Sequence, residues 1–554
     1  MAEQGDERTL KWWGWGYDDQ QPDRAGLEAV AEGVQERLGF EPSGVVEPVH
    51  LEDLGLPPPR LTPPPTLSDL FSDSPRDRAS HAVGRAYRDI VRTIRGDLPN
   101  PPDLVARPGS PEEVDVVLGW CEDSNAAVIP FGGGTSVVGG VEARLPEDSD
   151  HSGVVSLDLK RMDRVQEVDP VSLAARIQAG ATGPGLESQL REHGLTLRHY
   201  PQSFEFSTLG GWIATRAGGH FATGETHIDD LVESARMIAP SGEWESRRLP
   251  GSGAGPSPDR LVIGSEGTLG VIVDAWMRVR ERPRWRANCS VLFEDFFDGA
   301  AAVRALAQSG LQPANCRLLD ATEAEINGVS ADGSSVLVIG FESARVPVAE
   351  RLDQAVEMAR DCGGSPGSIE SRDAEDRAEG RPGEASASAD WRNAFLAAPY
   401  LRDALICSGV LTETFETAIT WDRFDEFTRS VLGEAKRATA EISDTPVEGP
   451  GSPSVSCRIT HAYPDGAAPY FTVLAPSRSG AEVAQWDEIK RAVSEVLDSA
   501  GATITHHHAV GRDHRSWYDR QRPQPFAEAL IAAKRALDPH GLLNPGVLVD
   551  PAAH

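Results

Sequence analysis

Lysine is nearly missing from this chain of 554 residues: Lys11, Lys160, Lys436, Lys490 and Lys534 are the whole set, against 48 arginines. Acidic side chains outnumber basic ones 85 to 53, so the formal charge is −32. A field of that sign repels phosphate backbones and anionic lipid, which argues against nucleic-acid binding and polybasic membrane adhesion. Cysteine is sparse too. Cys121, Cys289, Cys316, Cys362, Cys407 and Cys457 are scattered without a CxxC pair. That fits neither a disulfide scaffold nor a zinc ribbon, and predicts reduced thiols in a cytoplasmic protein. The opening MAEQGDERTLKWWGWG lacks the basic and apolar regions of a secretory leader. No window approaches the roughly 18 uninterrupted apolar residues of a membrane span. Membrane contact is expected at most peripherally, through an apolar face. The closing PAAH is not a peroxisomal address, and no period of about 20–50 residues signals a repeat array.

What is present is an ordinary globular balance, 40% apolar and 25% charged. At roughly 100–200 residues per domain the length predicts two to four units. A stiff, donor-poor run, LPPPRLTPPPTLSDLF, precedes a helix expected from Pro75 to Gly96. From Pro102 short strands and helices alternate. PEEVDVVLGWCEDSN reads as a capped helix, AAVIPF as a buried strand, and GVVSLDL, RVQEVD and AARIQAG as further strands. ATGPGLESQLREHG reads as a helix closed by Gly194. A second α/β portion starts near residue 283, with strands in VLFEDF and SSVLVIGFE and helices in DGAAAVRALAQSG and VAERLDQAVEMARDCG. Its order suggests a sheet with helices on one face. SPGSIESRDAEDRAEGRPGEASASADW reads as a mobile polar loop. THHHAVGRDH to LDPHGLLNPG reads as a short strand, a loop and a helix.

Three glycine-punctuated segments carry the first chemical signal. PFGGGTSVVGG (Pro130 to Gly140) follows a buried strand, and its bare backbone can approach a pyrophosphate closely, with Thr135 and Ser136 adding hydroxyls. It is not the dinucleotide fingerprint, because a second glycine pair stands where the helix should run. QSFEFSTLGGWIATRAGGH (Gln202 to His220) groups Ser203, Ser207, Thr208 and Thr215 around Gly210 and Gly211. IGSEGTLGVI (Ile263 to Ile272) is the third. Each alone could be a surface turn; three in this order carry more.

Together they resemble the FAD-binding domain of the vanillyl-alcohol oxidase type over Pro102 to Arg282, and LDPHGLLNPG resembles the C-terminal end of that superfamily. The resemblance implies an α+β fold: an N-terminal helical and Pro-rich extension over 1–100, and a two-subdomain FAD-binding domain over 101–282. An α+β cap (substrate) domain over 283–505 and a short C-terminal helical segment over 506–554, returning to the flavin, would complete it. It assigns Pro130, Phe131, Gly132, Gly133, Gly134, Thr135 and Ser136 to the pyrophosphate. Gln202, Ser203, Ser207, Thr208, Thr215, Arg216, Ala217 and Gly218 go to the isoalloxazine. Glu266, Gly267, Thr268, Leu269, Gly270, Val271 and Ile272 go to the adenosine side. The first loop holds neither His nor Cys, so FAD is expected to bind non-covalently.

Further motifs resemble the alkyldihydroxyacetonephosphate synthase family over nearly the whole chain. They are LKWWGWGYDD, RHYPQSFEFSTLGGW, NCRLLDATE, PYLRD, ETFETAITWDRF, CRITHAYPDGAAPYFTV and HHHAVG, in the family's order. The resemblance places Tyr470 on the catalytic tyrosine, His506, His507 and His508 on a histidine triplet, and Arg317 and Arg402 on two functional arginines, Arg402 holding phosphate. His199 falls on a family histidine beside the flavin. Read from residue type alone, each arginine is equally a salt-bridge partner in an acidic protein, and Tyr470 equally a core tyrosine. A planar guanidinium nonetheless suits phosphate, with two aligned donors. Three adjacent histidines also suggest zinc, but on an extended segment only His506 and His508 share a side, and no metal is expected. Trp12, Trp13 and Trp15 read as a docking plug.

The implied reaction has no net redox: acyl-dihydroxyacetone phosphate and a fatty alcohol give the alkyl ether and a fatty acid, through a flavin N5 adduct. The alternative is an FAD-linked oxidase or dehydrogenase of a 2-hydroxy acid such as D-lactate or glycolate. Such relatives carry an EHG-type motif where this chain has HHHAVG. Both readings need a phosphate- or carboxylate-bearing small molecule, and the fold class often forms homodimers.

Overall fold

The structure, a computed structural model, describes residues 8–219, 221–330, 332–372 and 399–550. Two hydrophobic cores organise it. One lies under the glycine-rich half and includes Val128, Leu157, Ile177, Trp212 and Val271. The other lies under the second half and reaches into the N-terminal segment through Trp12, Trp13 and Tyr87.

In the first half, a four-stranded sheet runs in the order Phe71–Ser72, Leu104–Ala106, Gly153–Asp158, Ala126–Phe131, the last three parallel. Gly153–Asp158 is buried at every residue, as a parallel strand covered on both faces must be. Ser110 caps the helix Pro111–Asp123 by accepting from the Glu113 amide, and Pro111 supplies a preset first turn. A five-stranded antiparallel sheet follows, in the order Val165–Asp169, Ala174–Gln178, Val271–Arg278, Val232–Ala239, Gly242–Glu245.

The helix expected from Pro75 to Gly96 is two helices, Pro75–Ser80 and Tyr87–Ile94. Residues 81–86 leave helical geometry to dock against the first glycine loop. The Arg85 amide donates to the Ser136 carbonyl at 2.7 Å, and a Cβ on Gly84 would overlap that same carbonyl. Tertiary docking overrides a continuous helical pattern here.

The second half is built on a nine-stranded sheet whose main path runs Ser365–Pro366, Trp285–Phe293, Ser335–Ser343, Asn315–Leu319, Ser454–Ala462, Gly466–Pro476, Val410–Glu416. Helices Phe296–Gln308, Ala349–Asp361, Trp421–Ile442 and Glu482–Ser499 pack on one side. Strand alternation sorts the residues. Cys316, Leu318, Cys457, Ile459, Phe471, Val473, Leu411 and Phe415 join the core. Arg317, Arg458, Thr460, Tyr470, Thr472, Thr412 and Thr414 face a cavity on the other side. Of the polar loop expected within 365–391, residues 365–366 and 370–372 are strand and the rest from 373 lie outside the described residues. Among the described residues, no helix is long and apolar enough to cross a membrane.

Candidate active site

One continuous cavity of about 360 Å³ runs from the glycine loops to the cap sheet. Its first part is a cradle that side chains would fill. A Cβ on Gly132 would overlap the Thr208 hydroxyl, and one on Gly133 would overlap the Phe206 carbonyl, so the two loops meet backbone to backbone. Gly134 has φ +68, which a bulkier residue would resist. Thr208 Oγ1 is buried on the cavity wall with no hydrogen-bond partner among the described residues. Such an atom is costly unless a ligand engages it.

The C-terminal segment locks this cradle. Glu266, at φ +51, accepts from the amides of Val510 at 2.9 Å and Gly511 at 2.7 Å, and Asn544 Nδ2 donates to the carbonyls of Glu266 and Gly140. Lys534, fully buried, donates to the carbonyls of Thr268 and Leu543 and to Asp538. Burial pushes the Glu266 carboxyl up to about 7 although the two amides favour its charge.

The cap wall is cationic. Arg317, Arg402 and Arg458 line it. Burial and then repulsion from Arg458 push Arg317 down to about 9, still protonated near neutrality. Arg458 pairs with buried Glu323, and its guanidinium sits 3.9 Å over the Tyr470 ring. Register explains this stacking: Arg458 and Tyr470 are directly opposed on neighbouring strands, and Glu416 opposes Tyr470 from the other side. Arg402, on helical residues 399–407, lies 3.4 Å from Thr412 Oγ1 and 3.3 Å from the Arg85 carbonyl. A register shift between Ile459 and His461 turns both Thr460 and His461 onto the cavity, as a bulge does. The same cavity is also lined by Ile326, Leu405 and Leu474, which pack in one apolar cluster.

The histidine triplet is not on a strand. Its chain folds into a turn around the Glu416 carboxylate, which accepts from the amides of His506 (2.6 Å), His507 (3.0 Å) and His508 (2.9 Å) and from Thr505 Oγ1 (2.6 Å). The alternating-face expectation fails because a buried anion gathers successive N–H groups to one side. Desolvation opposes charge on Glu416, but the neighbouring histidines and the Thr505 hydroxyl outweigh it and hold its carboxyl well below the usual range. Burial pushes His507 down to about 3 and His508 to about 4, so both are neutral bases near neutrality. Tyr470 lies beside both, its ring 6.1 Å from that of His507 and 5.5 Å from that of His508.

Of the residues singled out in the sequence, the structure brings most to this one cavity: Pro130 to Ser136, Gln202, Ser203, Ser207, Thr208, Thr215, Ala217, Gly218, Glu266, Gly267, Gly270, Ile272, Arg317, Arg402, Tyr470, His507 and His508. Six stand off it. Leu269 and Val271 belong to the core, and Thr268 donates to the Ser265 carbonyl. Arg216 turns outward to Asp229. His199 packs behind the wall, its ring 5.1 Å from that of Trp212. His506 sits one layer back, against His227 and Tyr463. Sequence reasoning gave no role to Glu416, Glu323, Arg458 or His461. Arg458 stands in the quoted motif CRITHAYPDGAAPYFTV, one strand from Arg317, and its pairing with Glu323 is set by sheet register.

Comparison with known proteins agrees with this layout. The FAD binding domain model matches residues 102–246, and the model for the C-terminal domain of FAD linked oxidases matches residues 282–548. An alkyldihydroxyacetonephosphate synthase of Caenorhabditis elegans is 30% identical over 98% of this chain and 96% of its own. The synthase of Dictyostelium discoideum is 30% identical over 87% of this chain and 79% of its own. A solved alkyldihydroxyacetonephosphate synthase structure superposes with a TM-score of 0.77 at 24% identity, covering 97% of this chain and 98% of that one, a likeness of fold. FAD is the cofactor that the matched domains bind, and the glycine cradle with its unsatisfied Thr208 hydroxyl fits it.

Proposed function

The chain belongs to the alkyldihydroxyacetonephosphate synthase family of FAD-linked enzymes, and from that premise we propose that it exchanges the acyl group of acyl-dihydroxyacetone phosphate for a fatty alcohol. The observation that carries this reading is the mixed lining of the one cavity: three arginines, and the apolar strip of Ile326, Leu405 and Leu474. A phosphate headed into a protein of −32 needs such a local reversal of field, and a fatty chain needs the strip. When bound, FAD supplies the electron-accepting ring over which the exchange proceeds. Arg402 and Arg317 hold and orient the phosphate. Tyr470, with Arg458 over its ring, moves the proton at substrate C1. His507 and His508, neutral and fixed by Glu416, serve the leaving and attacking oxygens. The first glycine loop offers no His or Cys, which supports dissociable FAD. All six cysteines are free, which supports a cytoplasmic setting.

The test supplies purified holoenzyme with hexadecanoyl-dihydroxyacetone phosphate and a long-chain alcohol, and looks for the alkyl ether by mass spectrometry. Absence of ether, together with anaerobic bleaching of the flavin by D-lactate or glycolate, would turn the assignment to a 2-hydroxy-acid oxidoreductase.

A further inference from the structure

Behind the cavity wall, three imidazoles run in file from His507 outward. His507 Nδ1 lies 3.0 Å from His506 Nδ1, His506 Nε2 lies 3.1 Å from His227 Nε2, and His227 Nδ1 lies 3.1 Å from the main-chain carbonyl of Arg216. A carbonyl oxygen can only accept, so a neutral His227 carries its proton on Nδ1 and accepts at Nε2. His506 must then donate from Nε2 and accept at Nδ1. His507 must donate from Nδ1, which leaves its Nε2 bare, on a residue that lines the cavity. The far end of the file agrees independently. Glu416 Oε2, another obligate acceptor, lies 3.5 Å from His507 Nδ1. Tyr463 fits as well: its hydroxyl lies 2.7 Å from His506 Nε2, where it accepts, and 3.0 Å from Thr226 Oγ1, to which it donates.

We infer that His507, His506 and His227 form a proton relay from the cavity to solvent, its direction fixed by the Arg216 carbonyl, with His227 as the outlet. The inference rests on the exchange reaction proposed above, and the balance of that reaction asks for such a path. The bond between C1 and the acyl oxygen breaks, and its electron pair leaves with the carboxylate. The alcohol oxygen bonds to C1 and gives up its hydrogen. The fatty acid departs ionised near neutrality, so each turnover leaves one proton to be exported from the site. Each ring takes that proton on its inner nitrogen and passes another from its outer one. The last leaves His227, which is half-buried at the protein's edge. A passage leaves the unprotonated nitrogen of His227 facing the Arg216 carbonyl, a lone-pair repulsion that favours ring rotation and reset. Arg216 ends the helix Leu209–Thr215 in left-handed geometry, φ +54, and so holds its carbonyl beside His227 rather than in the helical ladder. The nitrogens of His461, His506 and His507 lie within 4.8 Å of one another, a spacing open to a metal ion as well. Their engagement here is with Gly219 O, Tyr463, His227 and each other.

The test uses H227A holoenzyme. Its kcat should fall by roughly 10²-fold, the usual reach of one proton-transfer group, with KM unchanged, and added imidazole should restore it. Unchanged kcat, or a loss that imidazole does not rescue, overturns the relay. Holoenzyme labelled with ¹⁵N-histidine gives a readout independent of turnover. His507 should be protonated on Nδ1 and bare on Nε2. Nε2 protonation, or a stoichiometric metal by elemental analysis, overturns it. A wild type that makes no ether defeats the exchange reaction instead, and the tautomer still decides the relay.

Discussion

At the scale of single residues, the site depends on charges that only make sense as neighbours. Glu416 is a buried carboxylate whose bonds all go to the turn Thr505–His508. Glu416→Gln keeps its shape but presents an amide N–H₂ to donors. It should cost about 1.5–3 kcal/mol, the range for a hydrogen bond to a charged group, and lower turnover at least tenfold. Denaturant unfolding and ether synthesis on the same preparation check both. Tyr470→Phe removes one hydroxyl and leaves the ring under Arg458. It should lower kcat by roughly 10²-fold or more with little change in KM; a loss confined to KM would make Tyr470 a binding residue. That Tyr470, His507 and His508 share a cavity was legible in the chain through motif resemblance; that His506 stands behind it was not. Glu416 was not, because nothing in ETFETAITW marks one glutamate as the anchor of a turn 90 residues away.

Among elements, loops and strands divide the work differently. The strands were legible because alternation alone decides which side chains share a face: Arg317 stands between Cys316 and Leu318, and Tyr470 precedes Phe471, which belongs to the core. The first glycine loop was legible as a loop, but its partner was not. Gly133 is tight because the Phe206 backbone lies over it, 73 positions on. Backbone cannot swing aside as a side chain does, so Gly133→Ala should separate the loops and open the cradle. Purified protein should then hold less than about a tenth of the wild-type FAD by absorbance, with secondary structure retained by circular dichroism. Flavin content equal to wild type would show that the loop relaxes. The expected helix to Gly96 was misread for the same reason: the docking of residues 81–86 on Ser136 is invisible to periodicity.

For the whole molecule, the buried titratable groups set the acid response. His151, His199, His461, His506, His507, His508 and His514 are all held below their usual pKa by burial. Unfolding lets each bind a proton below about pH 6.5, so acid favours the unfolded chain through them. Asp89, Glu266, Asp320, Asp403 and Asp513 are raised by burial and act oppositely, since the folded form holds their protons down to the ordinary carboxylate range. The histidines outnumber these carboxyls, so stability should fall as the pH drops from 6.5 to 5. Urea midpoints of the holoenzyme across that range check the sign; a rising midpoint on acidification would contradict it. The sequence by itself determined the class of cofactor, the strands and their faces, and the need for a local cationic pocket within an overall charge of −32. Those follow from periodicity, residue type and charge, which are local or additive. Only the tertiary structure decided that Arg458 lies over Tyr470, that one glutamate gathers three histidine amides, and that His227 meets His506 across 279 positions. Such meetings depend on sheet register and loop docking, and no local pattern encodes which distant segments will touch.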